Sequence, residues 1–527
     1  MCKVEVHEKS FNRAPGIILF IGACSFALGG CRTRLDERTL VTAARTETSC
    51  KVSSSSNVKA DLLFMVDNSG SMDAMQAELR TRFPQFLEVF HELAQQGTLV
   101  DLHIGVVTSD YGAGKTGSGG GQCSPSPGGQ QGRLQAIGQF APAGCKAPLG
   151  ANFIRYISAM QGDGPNNLPP GQTLDQTFSC MASVGARGCG YEHQLESVHA
   201  ALTKSLPENE GFLRDDALLV VVFVTNEDDC SAPPETDLFD DNIARYGQRF
   251  SFRCTRYGIL CGQPPVFAPY ADSGGSLSMC QSAPDPMDQG PGRIFDISRY
   301  TDLFTKPKAQ GGIKVDPSDI LLAAIDAPAE PFSVVLADPH SGLHTGMPYT
   351  LCAKENETSN PPCVPVLQHS CQNMVDGAFF GDPAVRLNTV VATVPNHSIA
   401  SICDTDYTPA LQKVARLIIS QSGPCCISDA LPSDPRAPQD PTQFVADCDV
   451  EQVTLNEDGT KSSLTLPRCA EGVSAPCWSV LKKDQCAGLG PQNLGVTVVR
   501  PDGVVPPHTS VHASCLSRID QKTTSTY

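Results

Sequence analysis

The apolar run Leu62-Leu63-Phe64-Met65-Val66 passes directly into Asp67-Asn68-Ser69-Gly70-Ser71, and a long amphipathic stretch follows at once. This junction constrains the fold more than any other part of the chain. Five consecutive apolar residues suit a strand buried on both faces, the mark of a parallel sheet with helices on each side. Behind the junction, Met72, Met75, Leu79, Phe83, Phe86, Leu87, Phe90 and Leu93 recur at helical spacing and predict one long helix. Pro84 within it predicts a kink, or a start one turn later. One carboxylate and two hydroxyls therefore stand on a strand-to-helix turn at the carboxyl edge of the predicted sheet. Such hard oxygen atoms suit Mg²⁺ or Mn²⁺, with waters and an incoming carboxylate completing the shell. The same residue types also form N-caps and turns, so the five residues alone support either reading.

Strand and helix signals continue to alternate. Leu102, Ile104, Val106 and Val107 predict a strand, residues 112–132 a Gly- and Ser-rich loop, and residues 153–157 a short edge strand. Phe178, Met181 and Val184 predict a helix, as do Tyr191, Leu195, Val198, Ala201 and Leu202. Residues 217–224 read as a central strand, 320–325 as the next one with 332–336 as its continuation, and 387–394 as the last. Tyr407, Leu411, Val414, Ala415, Leu417 and Ile418 predict a closing helix. This rhythm implies an α/β fold: a doubly wound, mainly parallel central sheet flanked by helices. Two stretches rich in Pro, Gly, Asp and Cys, near 228–318 and 340–382, interrupt it and read as disulfide-braced insertions, the first with a helix near 294–305. From Gly423 the character changes to short strand-like segments with seven Cys between Cys425 and Cys515. Asp458-Gly459 and Asp502-Gly503 are hairpin-type turn pairs, so residues 423–527 are expected to form a small Cys-rich β domain. Trp478, beside Cys477, is expected to pack on a disulfide.

The amino-terminal region reads as an export signal over residues 1–30. Lys3, Lys9 and Arg13 precede an apolar run, 16–28, that is too short to span a bilayer comfortably. Leu28-Gly29-Gly30-Cys31 resembles the bacterial lipobox, which implies lipidation of Cys31 as the new amino terminus. Arg32 in place of Asp then implies sorting to the outer membrane, on its periplasmic or cell-surface face. Residues 31–56 read as a flexible tether, with Cys50 expected to pin its far end. Of 23 Cys, setting aside Cys2, Cys24 and Cys31 leaves an even 20. In an exported chain that number reads as a disulfide framework. Zinc is the competing reading, but no Cys-x-x-Cys occurs and Cys254 and Cys261 stand seven apart. The net charge of −17 argues against a nucleic-acid partner and suits attraction of divalent cations.

Asp67-x-Ser69-x-Ser71, in its strand and helix context, resembles the metal-ion-dependent adhesion site of a von Willebrand factor type A domain, over roughly residues 57–422. The resemblance implies two further ligand loops. The second normally offers a Thr before a helix; here Gly188-Cys189-Gly190-Tyr191-Glu192 has none at the matching place. Glu192 is then either a substitute oxygen ligand or a first-turn acid favoured by the helix dipole. The third loop normally reads Thr-Asp-Gly; here it is Thr225-Asn226-Glu227, so Asn226 keeps an oxygen and loses the charge. Asp228 and Asp229 either restore charge nearby or are solvated loop acids. The implied metal set is Asp67, Ser69, Ser71, Asn226 and Glu192, and its irregularity admits Ca²⁺ beside Mg²⁺ and Mn²⁺. The implied function is a lipid-anchored envelope protein that binds a protein partner through that partner's Asp or Glu. The alternatives are a metal-independent scaffold and a recruiting subunit of an envelope complex. Catalytic signals are weak. Gly114-Lys115-Thr116 has Ser109 where a phosphate loop needs its leading Gly, and His91-Glu92-Leu93-Ala94-Gln95 ends in Gln rather than the second His of a zinc motif. No enzyme is expected.

Overall fold

The computed structural model describes residues 43–518 apart from 52–57, 96–97, 116, 119–122, 124–127, 159–162, 243–250, 264–265, 268–274, 284–292, 339–349, 353–362, 423–424, 428, 433–443, 457–459, 484–485, 487–489 and 502–508. The export signal, Cys31, the side chain of Cys50, and the turn pairs Asp458-Gly459 and Asp502-Gly503 lie outside the described residues.

The central sheet has seven strands: β1 (Val58–Val66), β2 (Val100–Thr108), β3 (Ile154–Ser158), β4 (Asp163–Asn166), β5 (Leu218–Val224), β6 (Ile320–Asp326) and β7 (His397–Ser401). Their spatial order is β7-β6-β5-β1-β2-β3-β4. The five from β7 to β2 are parallel, while β3 and β4 add an antiparallel edge. The described α-helices are α1 (Asp73–Gln95), α2 (Leu174–Ala182), α3 (Gln194–Thr203), α4 (Ser251–Gly258), α5 (Ser298–Thr305), α6 (Val385–Val391) and α7 (Thr408–Ser422). Alternate residues of a strand face opposite sides. Val58, Ala60, Leu62, Phe64 and Val66 of β1 accordingly share a core with α1, α2 and α7, whereas Leu63 and Met65 share one with α3, α5 and α6. The sheet is thus covered on both faces, which is why β1 and β5 are apolar at successive positions. In the first core the ring of Phe64 meets Phe83, Phe86 and Phe178 edge-on. Helix α1 runs through Pro84 for 23 residues, forgoing one helical hydrogen bond there.

Several expectations are corrected. Residues 387–394 do not form the last strand: Val385–Val391 is helix α6, burying Leu387, Val390 and Val391 at helical spacing, and the edge strand is β7. Residues 332–336 do not continue the central sheet; Phe332–Ala337 pairs with Val364–Leu367 and Gly275–Leu277 in a separate antiparallel sheet. The edge beyond β2 is a hairpin, so residues 154–158 lie one place in from it. Part of the supposed tether, Ala43–Lys51, is a strand, paired along its whole length with Thr509–Arg518. Its backbone donors and acceptors find a ladder there, which a flexible segment would leave to water.

The carboxyl-terminal region is β-rich, as expected. Ala43–Lys51, Thr509–Arg518, Cys448–Leu455 and Lys461–Leu466 form one sheet, and Cys425–Cys426, Leu494–Val499 and Cys477–Lys482 another. Val450, Trp478, Val496 and Val511 belong to their shared core. Trp478 is buried next to the Cys469–Cys477 bridge, with the Arg468 guanidinium over its ring. Nine disulfides occur among the described residues. Four of them, Cys230–Cys254, Cys261–Cys280, Cys352–Cys363 and Cys371–Cys403, brace the two irregular stretches. No helix among the described residues is long and apolar enough to cross a membrane.

Candidate functional site

The strand order reverses between β1 and β5, since the chain proceeds from β1 outward through β2 and β3, and from β5 outward through β6 and β7. At such a switch point the loops leaving the carboxyl ends part and open a crevice. Three polar residues sit there, each the first after its strand: Asp67 after β1, Ser109 after β2 and Thr225 after β5. Asp67 Oδ1 accepts from the Ser69 backbone N–H at 2.8 Å and from Ser109 Oγ at 3.0 Å, while Oδ2 accepts from Thr225 Oγ1 at 2.7 Å. Gln76 Nε2, on the first turn of α1, donates to the Asp67 carbonyl at 2.7 Å and so fixes the loop to the helix. Ser69 Oγ lies 3.3 Å from Ser71 Oγ, and Ser71 Oγ donates to Asn226 Oδ1 at 2.9 Å. Asp67, Ser69, Ser71 and Asn226 are therefore one hydrogen-bonded group. The Asn226 Nδ2 is buried without a partner. Turning the amide over would let its N–H donate to Ser71 and present its oxygen to the site instead.

Glu192 joins them by a different route. It precedes α3, so it is not a first-turn acid; it forms a bridge with Asp110, and its carbonyl accepts from the Cys230 N–H at 2.8 Å. Its carboxyl is buried, and among the described residues the only side chain that hydrogen-bonds it is another carboxyl, that of Glu227. Burial, then the charges of Glu227 and Asp67, hold its proton well above the ordinary carboxyl range. Glu227, whose carboxylate accepts from Ser251 Oγ, is pushed up to about 8, by burial first and then by the charge of Asp382. Burial also raises Asp67, against the opposing hydrogen bonds of Ser69, Thr225 and Ser109. Carboxyls crowded in this way must keep protons or share a cation. Among the described residues no group of three His, Cys, Asp or Glu is placed to hold a metal by itself. A cation here needs the hydroxyls and the amide as well, and that all-oxygen set, with Glu192 facing a second buried carboxyl and no positive group, fits a hard divalent ion. Access is narrow: Ser71 and Glu227 are each 8% exposed, and the rest of the group less.

Asp228 and Asp229 are not solvated loop acids; both are buried and cap helices. Asp228 accepts from the N–H groups of Val385, Arg386 and Leu387 at 2.9–3.0 Å, capping α6, and burial moves its carboxyl up to about 6. Asp229 caps α3 through Leu195 N–H at 3.0 Å and pairs with the buried Arg386 at 3.2 Å. The sequence marks Thr225 and Glu227 only as members of the third loop, and Ser109 only where a phosphate loop would need Gly; it gives none of them a role at the site. For Ser109 the one signal is its position just past the end of an apolar strand. Elsewhere, Lys115 pairs with Glu235 at 3.0 Å on the surface, and His91 and Glu92 are exposed on α1 while Leu93 is buried.

No family profile matches the chain, and no curated protein does either. Among solved structures, it is similar to the pilus adhesin SpaC from Lactobacillus rhamnosus GG in its open conformation. That match has 10% identity and a TM-score of 0.28, covering 91% of this chain and 41% of the adhesin. Another structure of the same adhesin matches with 10% identity and a TM-score of 0.26, covering 90% and 40%. The chain thus spans about two-fifths of the length of these structures, and scores of this size establish no shared fold.

Proposed function

We propose that the chain is an exported, lipid-anchored protein of the type A domain kind, which binds a protein partner through a divalent cation at the switch point. The observation that carries this reading is the linked group Asp67, Ser69, Ser71 and Asn226, with the buried Glu192 carboxyl beside it partnered only by a second carboxyl, Glu227, among the described residues. Those five residues would hold the cation, Mg²⁺, Mn²⁺ or Ca²⁺. When bound, the ion supplies a positive centre that a partner's Asp or Glu can occupy. The remaining work belongs to the chain itself. Ser109 and Thr225 orient the Asp67 carboxylate, Gln76 locks the loop to α1, and the Glu227 carboxyl, kept protonated near neutral pH by its burial, stands beside Glu192 at the margin. Lipidation at Cys31 and outer-membrane sorting remain part of the same proposal, supported by the Leu28-Gly29-Gly30-Cys31 segment and by the many disulfides.

A second reading has its own support: both Asp67 carboxylate oxygens already accept hydrogen bonds from the chain, as in a metal-free scaffold. Calorimetric titration of Mg²⁺, Mn²⁺ and Ca²⁺ separates the two. The cation reading expects saturable binding to the wild type, its loss in Asp67→Ala, and binding weakened about tenfold in the milder Glu192→Gln. Absence of cation binding to the folded wild type, or unchanged binding in both variants, would leave the scaffold.

A further inference from the structure

Met374 and Val375 are 95% and 97% exposed, far beyond the other large apolar residues that reach solvent. Single half-exposed apolar residues are ordinary surface. Two adjacent ones without any packing, on an ordered turn, call for a contact outside the chain. The turn is held without their help. Cys371–Gln372 pairs with Phe380–Gly381, and the Cys371–Cys403 bridge ties this hairpin to the loop after β7. The Asn373 side chain donates to the Cys403 carbonyl at 3.0 Å and accepts from the N–H groups of Val375 and Asp376. The base of the hairpin meets the candidate site: the Asp382 N–H donates to the Asn226 carbonyl at 2.8 Å, and a Cβ on Gly381 would lie 3.1 Å from that same oxygen.

On the other flank Phe140 is 41% exposed, and its ring lies against Gly185 so closely that a Cβ there would come within 1.8 Å. Gly185 is gripped through both backbone groups by Gln76, the residue that also holds the Asp67 carbonyl. The hairpin that carries Met374 and Val375 is thus bonded at its base to Asn226, and Phe140 packs on the glycine that Gln76 ties to the Asp67 loop.

We infer that the partner is a protein segment in which an acidic residue is flanked by apolar side chains, the acid entering the site and the apolar groups resting on Met374, Val375 and Phe140. This rests on the cation reading above. Met suits such a contact because its flexible thioether moulds to varied surfaces. A lipid surface is the less favoured occupant, since a chain of net charge −17 is repelled by anionic membranes.

The test uses two synthetic peptides with a central Asp, one flanked by Leu and Phe and one by Ser and Gly, titrated by fluorescence anisotropy in Mn²⁺. The apolar-flanked peptide is expected to bind at least about tenfold more tightly. The double variant Met374→Ser/Val375→Ser should lose that preference while its cation titration stays unchanged, and Phe140→Ser should reduce it. Equal binding of the two peptides, no binding of either, or an intact preference in the double variant overturns the inference. So does capture of the wild type, but not the double variant, by phosphatidylcholine–phosphatidylglycerol vesicles. A preference that survives EDTA upholds the apolar contact and removes the cation reading. A normal cation titration without any preference does the reverse.

Discussion

At the residue scale, the governing effect is burial of acids that lack a positive neighbour. Asp326 ends β6 with 1% exposure, and neither carboxylate oxygen makes a hydrogen bond. Burial, then the charge of Asp228, holds its proton well above the ordinary 3.8. The folded chain keeps this proton after the unfolded chain has released it. Its contribution to stability is therefore full below the unfolded value and is lost as pH rises toward the folded one. Asp326→Asn removes that dependence. Urea midpoints should show little change at pH 4 and a gain of more than about 1 kcal/mol at pH 8; an unaltered pH slope would contradict this account. The contrast with Asp67 explains what could be read in advance. Asp67, Ser69 and Ser71 are adjacent in the chain, so their convergence was legible in the sequence. Glu227 and Asp326 look like ordinary loop and strand-end acids until neighbouring elements bury them.

Among the elements, α1 and α6 mark the two limits of legibility. Seven of the eight apolar residues read from the sequence, Met75 to Leu93, fall within α1 at helical spacing, and no distant contact is needed to recognise the helix. The segment around α6 is rich in β-branched residues and short, so its local preference favours a strand. What decides for a helix is a carboxylate about 160 positions away in sequence: Asp228 accepts the first three N–H groups of α6. Asp228→Ala would leave those buried donors without an acceptor, at a cost of about 2–4 kcal/mol. Hydrogen exchange should quicken in residues 385–391 more than in α1. Equal protection of both helices in the variant would show that the cap is not what holds α6.

For the whole molecule, the ends of the described chain share one sheet. Ala43–Lys51 covers the open edge of Thr509–Arg518, so the carboxyl-terminal region borrows a strand from the other end of the sequence. A chain beginning at residue 57 would leave Thr509–Arg518 as an unpaired edge. Amide exchange in 509–518 should then rise by at least about tenfold while β1 and β5 stay protected, and the protein should associate through the bared strand. Unchanged protection of 509–518 would mean that the added strand contributes little. The sequence by itself determined what depends on near neighbours: the doubly covered strands, the long helix, the acid and alcohols on one turn, and a disulfide-rich character. Only the tertiary structure decided the partnership of Ala43–Lys51 with Thr509–Arg518, the helical state of Val385–Val391, and the meeting of Glu192 and Glu227 beside Asp67. Periodicity reports which face of a single element is buried, whereas pairing, capping and crowded charge depend on groups that only the folded chain brings together.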